Sequence, residues 1–391
     1  MDVPIVTLKR GRARPFWFGC PIVFSGAVES VAGNPAPGAL VQVLDAEGRA
    51  VGHGFFNPAS AYRVRIVRLE RPAEPPPEPG AIIDARIRQA LALRAALGLP
   101  SAQTTAWRLL NSEGDSLSGL TVDVFGRTVV AQASAVWAEV HRDRVTESLR
   151  SALGADVRVV HRIASHVRRE EGLGASPPAD APPVEVLEGG LRYEVDVRQG
   201  QKTGFYVDQR ENRARVRAMA AGRRVLDAYC FTGGFSLAAA AGGASEVLGI
   251  DSSAPAIEAA RRAAATNGLG NARFEVADAV EAMASRGRWD LVICDPPKLA
   301  GGRSELEAAL AKYKRVNRAA IEAVEPGGLL VTCSCSSALR RDLLVEVIRD
   351  AATEAGRRVA ITSVLGAAPD HPVHPSWPEG EYLKCVVAGV W

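Results

Sequence analysis

Four aspartates in the second half of the chain each close an apolar run, in an order that could hold a nucleoside. The runs are Val225-Leu226-Asp227, Gly249-Ile250-Asp251, Val276-Ala277-Asp278 and Ile293-Cys294-Asp295, the last continuing as Pro296-Pro297-Lys298. In an open parallel sheet, ligands bind outside the carboxyl ends of the strands, so the residues closing each strand are the ones that meet them. After Asp227 comes AYCFTGGFS, in which Gly233 and Gly234 let the backbone approach a ligand at a helix start. Asp251, with Ser252 beside it, is placed to take both hydroxyls of a ribose. Asp278 could accept from an adenine amino group. The turn is not GxGxxG, so a pyrophosphate cradle is not indicated, whereas a methionine-bearing adenosine has no phosphate to cradle. S-adenosyl-L-methionine is therefore the expected cofactor. Taken singly, the glycines could be packing features and Asp251 could cap the helix after it; their ordered combination with DPPK favours the cofactor.

The elements that must position these residues follow from the periodicity. From Val184, VEVLEGGLRYEVDV has the form of a hairpin. Beyond it, RRVLDAY, EVLGID, WDLVICD and GLLVTCS alternate with alanine-rich helical stretches, which predicts an α/β domain with a parallel sheet covered on both faces. Residues 4–68 form short strands instead, with Asp45-Ala46-Glu47-Gly48 as a hairpin turn. RPAEPPPEPG then suits a stiff linker, neither helix nor central strand. Asp84 to Leu97 has helical spacing, a strand-rich stretch follows, and EEGLGASPPADAPP is a polar, proline-rich loop expected at the surface. The resulting division is a β-rich domain over 1–74, a central α+β domain over 75–190 and a catalytic domain over 191–391.

At 391 residues, two or three domains are the prior expectation. The 47% apolar and 23% charged fractions exclude general disorder. No uncharged apolar run reaches the roughly 18 to 20 residues of a membrane span, and the start carries no signal-peptide core, which points to the cytoplasm. Six cysteines without a CxxC pair suggest reduced thiols, and the histidines do not stand beside them at zinc spacing, so no structural metal is expected. A net charge of +3 is too small to declare a nucleic-acid binder. Clustering is more telling: Lys9, Arg10, Arg12 and Arg14 crowd one segment, with Arg63, Arg65 and Arg68 in a later strand. Such a run is either a phosphate-binding stripe or a solvated face. Trp17 and Phe18 next to it could stack on a base or belong to the core.

Several stretches carry a resemblance: QKTGFYVDQRENR (Gln201 to Arg213), VLDAYCFTGGFS, DPPK, SCS (Ser334 to Ser336) and EYLK (Glu381 to Lys384). The chain resembles the bacterial family of 23S rRNA 5-methylcytosine methyltransferases with an amino-terminal PUA domain. LKRGRARPFWFGCPIVFSGAV is similar to that family's opening and RLLNSEGDSLSGLTVDVFG to its central domain. The resemblance implies a Rossmann-like class I methyltransferase domain behind a PUA-like domain, S-adenosylmethionine as methyl donor and large-subunit rRNA as partner. It implies Cys335 as nucleophile. Gln201 to Arg210 would line the cofactor pocket, Thr203, Tyr206, Asp208 and Arg210 among them, continued by Asp227, Tyr229, Phe231, Gly233, Asp251, Ser252, Asp278 and Asp295. The chain departs from the pattern at Cys333, where a plain strand residue is expected.

The chemistry suits these residues. C5 of cytosine is a poor nucleophile, so a thiolate must first add at C6. Cysteine is nucleophilic near neutral pH, more so beside a positive charge such as Lys298. Asp295 would hydrogen-bond the cytosine N3 or N4 edge. The base that removes the C5 proton is not identifiable from the sequence. Because a base within a duplex cannot reach such a pocket, the substrate would be exposed or flipped, with Lys9, Arg10, Arg12, Arg14 and Lys298 as candidate RNA contacts. A methyltransferase acting on a base nitrogen and a non-catalytic RNA-binding assembly factor are the rival readings. Cys335 and the intact aspartates argue against both. A monomer or a homodimer is equally compatible with the sequence.

Overall fold

A computed structural model describes residues 3–69, 78–176, 181–198, 204–299 and 305–391, apart from the His166 side chain. The chain divides into two compact units: one of Met1–Val186, Val195–Tyr206 and Pro369–Gly380, the other of Leu187–Glu194, Val207–Ala368 and Glu381–Trp391.

The first unit contains two sheets. In the six-stranded one the order is Ile22–Phe24, Tyr62–Leu69, Ala50–Phe56, Leu40–Leu44, Ile5–Leu8, Val28–Ala32. Alternation of Val6 and Leu8, and of Val41 and Val43, points one face into a core with Val51 and Val64. The expected turn is present: Asp45 Oδ1 accepts from the amides of Glu47 (3.0 Å) and Arg49 (2.8 Å), and Gly48 takes the left-handed conformation that closes it. The second sheet runs Arg158–Ile163, Thr128–Ala133, Leu120–Phe125, Ala106–Asn111, with the helices Pro79–Ala96 and Arg142–Leu153.

Three local expectations for this unit need correction. The stretch assigned wholly to a linker ends by opening a helix, because Pro79 occupies the first turn, where its missing N–H is no loss; residues 71–77 of that stretch lie outside the described residues. The polar loop expected at the surface holds a buried residue near its start, Glu171, whose carboxylate accepts from Ser60 (2.6 Å), Asn57 (3.0 Å) and Arg65 (2.7 Å). Arg65 is thereby an interior ion-pair partner and leaves the basic surface cluster. Its place in sequence, on the inward-facing side of a strand, is the physical reason.

The second unit is the α/β domain. Its strands are β1 (Arg224–Ala228), β2 (Glu246–Asp251), β3 (Ala272–Val276), β4 (Trp289–Cys294), β5 (Val324–Ser334), β6 (Val359–Leu365) and β7 (Lys384–Val390). The helices are α1 (Arg210–Met219), α2 (Gly234–Ala241), α3 (Ala254–Thr266), α4 (Ala279–Ser285), α5 (Leu306–Glu322) and α6 (Arg341–Glu354). The order across the sheet is β3-β2-β1-β4-β5-β7-β6, parallel from β3 to β5, with β7 antiparallel to both of its neighbours. Alternate residues of the central strands feed two cores: Leu226, Leu248 and Val292 pack with α4, α5 and α6, whereas Val225, Val247 and Leu291 pack with α1 and α2. Burial on both faces accounts for the continuous apolar runs. The strand order reverses between β1 and β4, which is where such folds open a ligand crevice.

One interior charge in the first unit makes a stability test. Arg94 is fully buried, pairs with both oxygens of Asp115 (2.5 and 2.8 Å), and donates to the carbonyls of Arg108 (2.9 Å) and Asp370 (2.7 Å). Replacing it by methionine keeps the stem and strands the Asp115 carboxylate. R94M should therefore lower unfolding stability by roughly 3 to 5 kcal/mol in urea denaturation.

Candidate active site

The loop after β1 is held in an unfavourable backbone shape. Tyr229, Phe231 and Gly233 have φ of 67°, 49° and 82°, a region that costs side-chain-bearing residues energy. Its tethers come from β2: Cys230 N donates to Ile250 O (2.9 Å) and Phe231 N to Asp251 Oδ2 (2.9 Å). The other Asp251 oxygen accepts from Ser253 N (2.8 Å). Asp251 thus shapes the loop, and the cap of α3 is Ser253. Gly233 is needed for space as well as for φ, since a Cβ there would stand 3.0 Å from Ala260 Cβ and 3.1 Å from the Phe274 ring.

The carboxylates gather around this loop. Asp227 is fully buried; Oδ2 accepts from Ser236 Oγ (2.6 Å), and Oδ1 has no partner among the described residues. Burial pushes its pKa up to about 7, with the Ser236 bond opposing and the negative fields of Asp295 and Asp251 adding to the rise. Tyr229, half-buried, is raised by burial first and also feels Cys294, Asp278 and Asp251. Asp278 is exposed and caps α4, its Oδ1 accepting from Val280 N and Glu281 N, both at 2.9 Å. Its second oxygen is not engaged in that cap, and Val276, 50% exposed, offers an apolar surface two residues earlier. Ser252 is exposed and Phe231 half-buried. A buried carboxylate oxygen awaiting a donor, a second carboxylate at the next strand end and an exposed apolar side chain fit a ligand with a cationic amine, ribose hydroxyls and a flat base.

A second cluster lies where β5 ends. Thr332, Ser334 and Ser336 are fully buried and tied to α5: Thr332 Oγ1 donates to Asn317 Oδ1 (2.8 Å), Ser334 Oγ to Tyr313 Oη (2.9 Å), and Tyr313 Oη and Ser336 Oγ are 2.9 Å apart. Cys335, between the two serines, is half-buried. Across the ladder, Ser334 is opposite Lys384, a residue only 2% exposed whose ammonium donates to Ser336 O (2.7 Å) and Tyr382 O (2.8 Å). Cys333 faces the paired strand residue Cys385, and the bond to that neighbour, together with burial, pushes its thiol up.

Of the motif around α1, Asp208 is buried and receives the Tyr382 hydroxyl (2.6 Å), and Arg210 is buried with Nε 3.2 Å from Glu211. Gln209, between them, is the residue that reaches the site: its Nε2 donates to Asp295 Oδ2 (2.9 Å), and its Oε1 accepts from Asn212 (2.6 Å). Tyr206 is half-buried, and Thr203 lies outside the described residues. Lys298 is exposed. In the first unit Lys9, Arg10, Arg12 and Arg14 are all exposed, as are Trp17 (51%) and Phe18 (68%); Phe16 is the aromatic that enters the core. The resemblance placed Gln209 within the Gln201 to Arg210 lining of the cofactor pocket but gave it no contact with Asp295, and sequence reasoning gave no role to Tyr313 or Lys384. Gln209 and Lys384 sat within motifs already singled out, while Tyr313 had no signal beyond helical spacing.

A seven-stranded sheet of this order, carrying its acidic residues at the carboxyl ends around a crevice at β1 and β4, defines a class I methyltransferase domain. The model of the S-adenosylmethionine-dependent methyltransferase family matches residues 147–375, and that of the PUA-like domain matches 6–68. Ribosomal RNA large subunit methyltransferase I of Aeromonas hydrophila is 35% identical over 399 residues, covering 98% of each chain; that of Alteromonas mediterranea is 37% identical over 383 residues, covering 95% of this chain and 94% of the relative. A solved candidate SAM-dependent methyltransferase from Streptococcus mutans shares the fold at TM-score 0.82 with 20% identity, over 99% of this chain and 100% of its own. The chain belongs to the family of ribosomal RNA large subunit methyltransferase I, within the S-adenosylmethionine-dependent methyltransferases, and its cofactor is S-adenosylmethionine. No helix among the described residues is long and apolar enough to cross a membrane.

Asp227 allows a pH test of this site. Its folded pKa of about 7 lies above the unfolded value near 3.8, so its cost to folding is absent below that lower value, grows as pH rises between the two and is complete above 7. In ligand-free protein D227N should raise stability at pH 8 by up to about 4 kcal/mol and change it little at pH 4. The same variant should weaken S-adenosylmethionine binding at least tenfold in calorimetry.

Proposed function

We propose that the chain methylates C5 of a cytosine in large-subunit rRNA, with Cys335 as the nucleophile. One observation carries this reading. Of the six cysteines, Cys335 and Cys20, which belongs to the first unit, alone are not buried, and Cys335 stands just past a strand at the carboxyl edge of the sheet. Burial pushes Cys230 and Cys294 up, and the bonded Cys385 thiol together with burial does the same for Cys333, which disfavours a thiolate at all three. The ribosomal substrate is supported by the curated relatives, which are named for it over the full length of the chain.

The residues then divide the work. The Cys335 thiolate adds to C6, forming an S–C6 bond and moving the electron pair of the 5,6 double bond onto C5. Asp295, oriented by Gln209, holds the N3 and N4 edge while that charge shifts. When bound, S-adenosylmethionine supplies the electrophilic methyl group that C5 takes up. Removal of the C5 proton by a base returns the pair to the ring and expels Cys335 as thiolate. Asp227, Tyr229, Phe231, Gly233, Asp251, Ser252 and Asp278 surround the cofactor, together with Thr203, Tyr206, Asp208 and Arg210. Residues 1–74 grip RNA through Lys9, Arg10, Arg12 and Arg14, with Trp17 and Phe18 as stacking surfaces, and Lys298 contacts RNA beside the catalytic domain. The central domain, 75–190, lies between the two in sequence.

Bisulfite sequencing of rRNA methylated by the purified protein should reveal a new 5-methylcytosine in the large-subunit species. C335A should reduce it at least a thousandfold, and RNA containing 5-fluorocytosine should trap a covalent adduct with the wild type only. Methyl incorporation without 5-methylcytosine, or full activity of C335A, would replace this reading with nitrogen methylation. Removing three cations at once, R10A/R12A/R14A, should weaken RNA binding and flatten its dependence on log salt concentration by about 2 to 3, since each phosphate contact contributes about 0.7 to 0.9. An unchanged slope would place the grip elsewhere.

A further inference from the structure

Lysine is almost never fully buried unless something compensates its charge. Lys384 is 2% exposed, and the partners of its ammonium are two neutral carbonyls, those of Ser336 and Tyr382. Among the described residues no carboxylate stands within ion-pair distance of it. An ammonium has three donors, so two bonds leave one unused. The two carbonyls and the strand ladder fix the ammonium in place, because Lys384 is the residue opposite Ser334 and one of its acceptors belongs to Ser336. The residue between those two positions is Cys335.

We propose that Lys384 is the resident counter-ion of Cys335, a positioning residue whose buried charge holds the nucleophile as thiolate. This rests on the reading of Cys335 given above. The pairing settles two costs together: a buried cation gains an anion, and a sulfur at the sheet edge gains a fixed positive charge in a region of low dielectric. The electrostatics agree. Burial pulls the Lys384 pKa down to about 8, and what pulls it back up is first the field of Cys335 and then that of Glu381. Among the described residues, Tyr313, Cys333, Cys385 and Asp295 belong to the same end of the sheet. Tyr313, from α5, has its hydroxyl bound to Ser334 and Ser336 and is itself raised by burial and by the field of Cys335. Cys333 and Cys385 lie in the paired strands, and Asp295 follows β4. Of these groups, Lys384 is the buried cation.

The test is the pH dependence of Cys335 alkylation by iodoacetamide in the full-length protein, read peptide by peptide in a mass spectrometer. In the wild type the midpoint should fall well below the roughly 8.5 of a free thiol. K384M should raise it by one pH unit or more, and K384R, which keeps the charge, should move it by a few tenths only. Methyl transfer by K384M should fall about tenfold at pH 7 and recover as pH approaches 9. A midpoint that K384M leaves in place, with circular dichroism and cofactor affinity unchanged, would reduce Lys384 to a structural residue and overturn the proposal. If K384M fails to fold, the wild type decides: a midpoint at or above 8.5 overturns it. The alkylation profile requires no turnover. A low midpoint moved by K384M, in a protein that forms no 5-methylcytosine, would sustain the pairing and sink the cytosine reading instead.

Discussion

Pairing between β5 and β7 is the interaction on which the site depends. A parallel sheet alone would deliver Cys335 at a strand end with nothing beside it but the next strand's carboxylate. The antiparallel insertion of β7 between β5 and β6 puts Cys385 opposite Cys333 and Lys384 opposite Ser334, so a residue about fifty positions later in the chain becomes a fixed neighbour of the SCS segment. The ladder fixes the backbone of Lys384 and two carbonyl bonds fix its ammonium, which a surface lysine on a flexible stem lacks. On the other side of β5, α5 locks the same segment through Asn317 and Tyr313. Held from both sides, the serines cannot turn away, and the residue between them has little choice of direction.

The remaining elements answer a different constraint, the mutual repulsion of carboxylates gathered at one crevice. Asp227 lies in the fields of Asp295 and Asp251. The fold relieves that crowding locally. Asp251 spends both oxygens on backbone amides, one of which holds Phe231 in its positive-φ conformation. Asp278 is neutralised in part by the amino end of α4, whose dipole favours an anion there. Asp295 takes an amide donor from Gln209, itself polarised by Asn212. Asp227 is left fully buried with one orphaned oxygen, and that burial, with the fields of Asp295 and Asp251 added, drives it toward neutrality.

How much of this was legible depends on whether the cause was local. The strand-end aspartates, the glycine turn and the parallel sheet could be read because each follows from a run of consecutive residues, and the hairpin turn at Asp45 for the same reason. What the sequence concealed came from pairing at a distance. Nothing in EYLK says that its lysine will lie opposite Ser334, since register is set by the sheet and not by the segment. Arg65 looked like one of three surface cations because its partner, Glu171, is over a hundred residues away inside a stretch that composition marks as loop. Trp17 and Phe18 could not be separated from Phe16 by type; only the short helix they share decides which ring faces inward.

Buried charge is a consistent sign of where this molecule departs from maximal stability. Three of its interior ions, Arg94, Arg108 and Arg213, are matched by bidentate carboxylates, which is what structural roles require. Asp227 and Lys384 are not matched in that way. One lacks a donor for an oxygen, and the other has its charge against neutral carbonyls. A sequence selected only to fold would replace both with apolar residues of similar volume, because an unmatched interior ion costs more than it returns. Both are found beside the crevice at the carboxyl ends of the strands, one at the cofactor loop and one at the thiol. Their energetic cost in the ligand-free chain is therefore best understood as the electrostatic readiness of the site: a negative group held for a cationic cofactor, and a positive group held for an anionic sulfur.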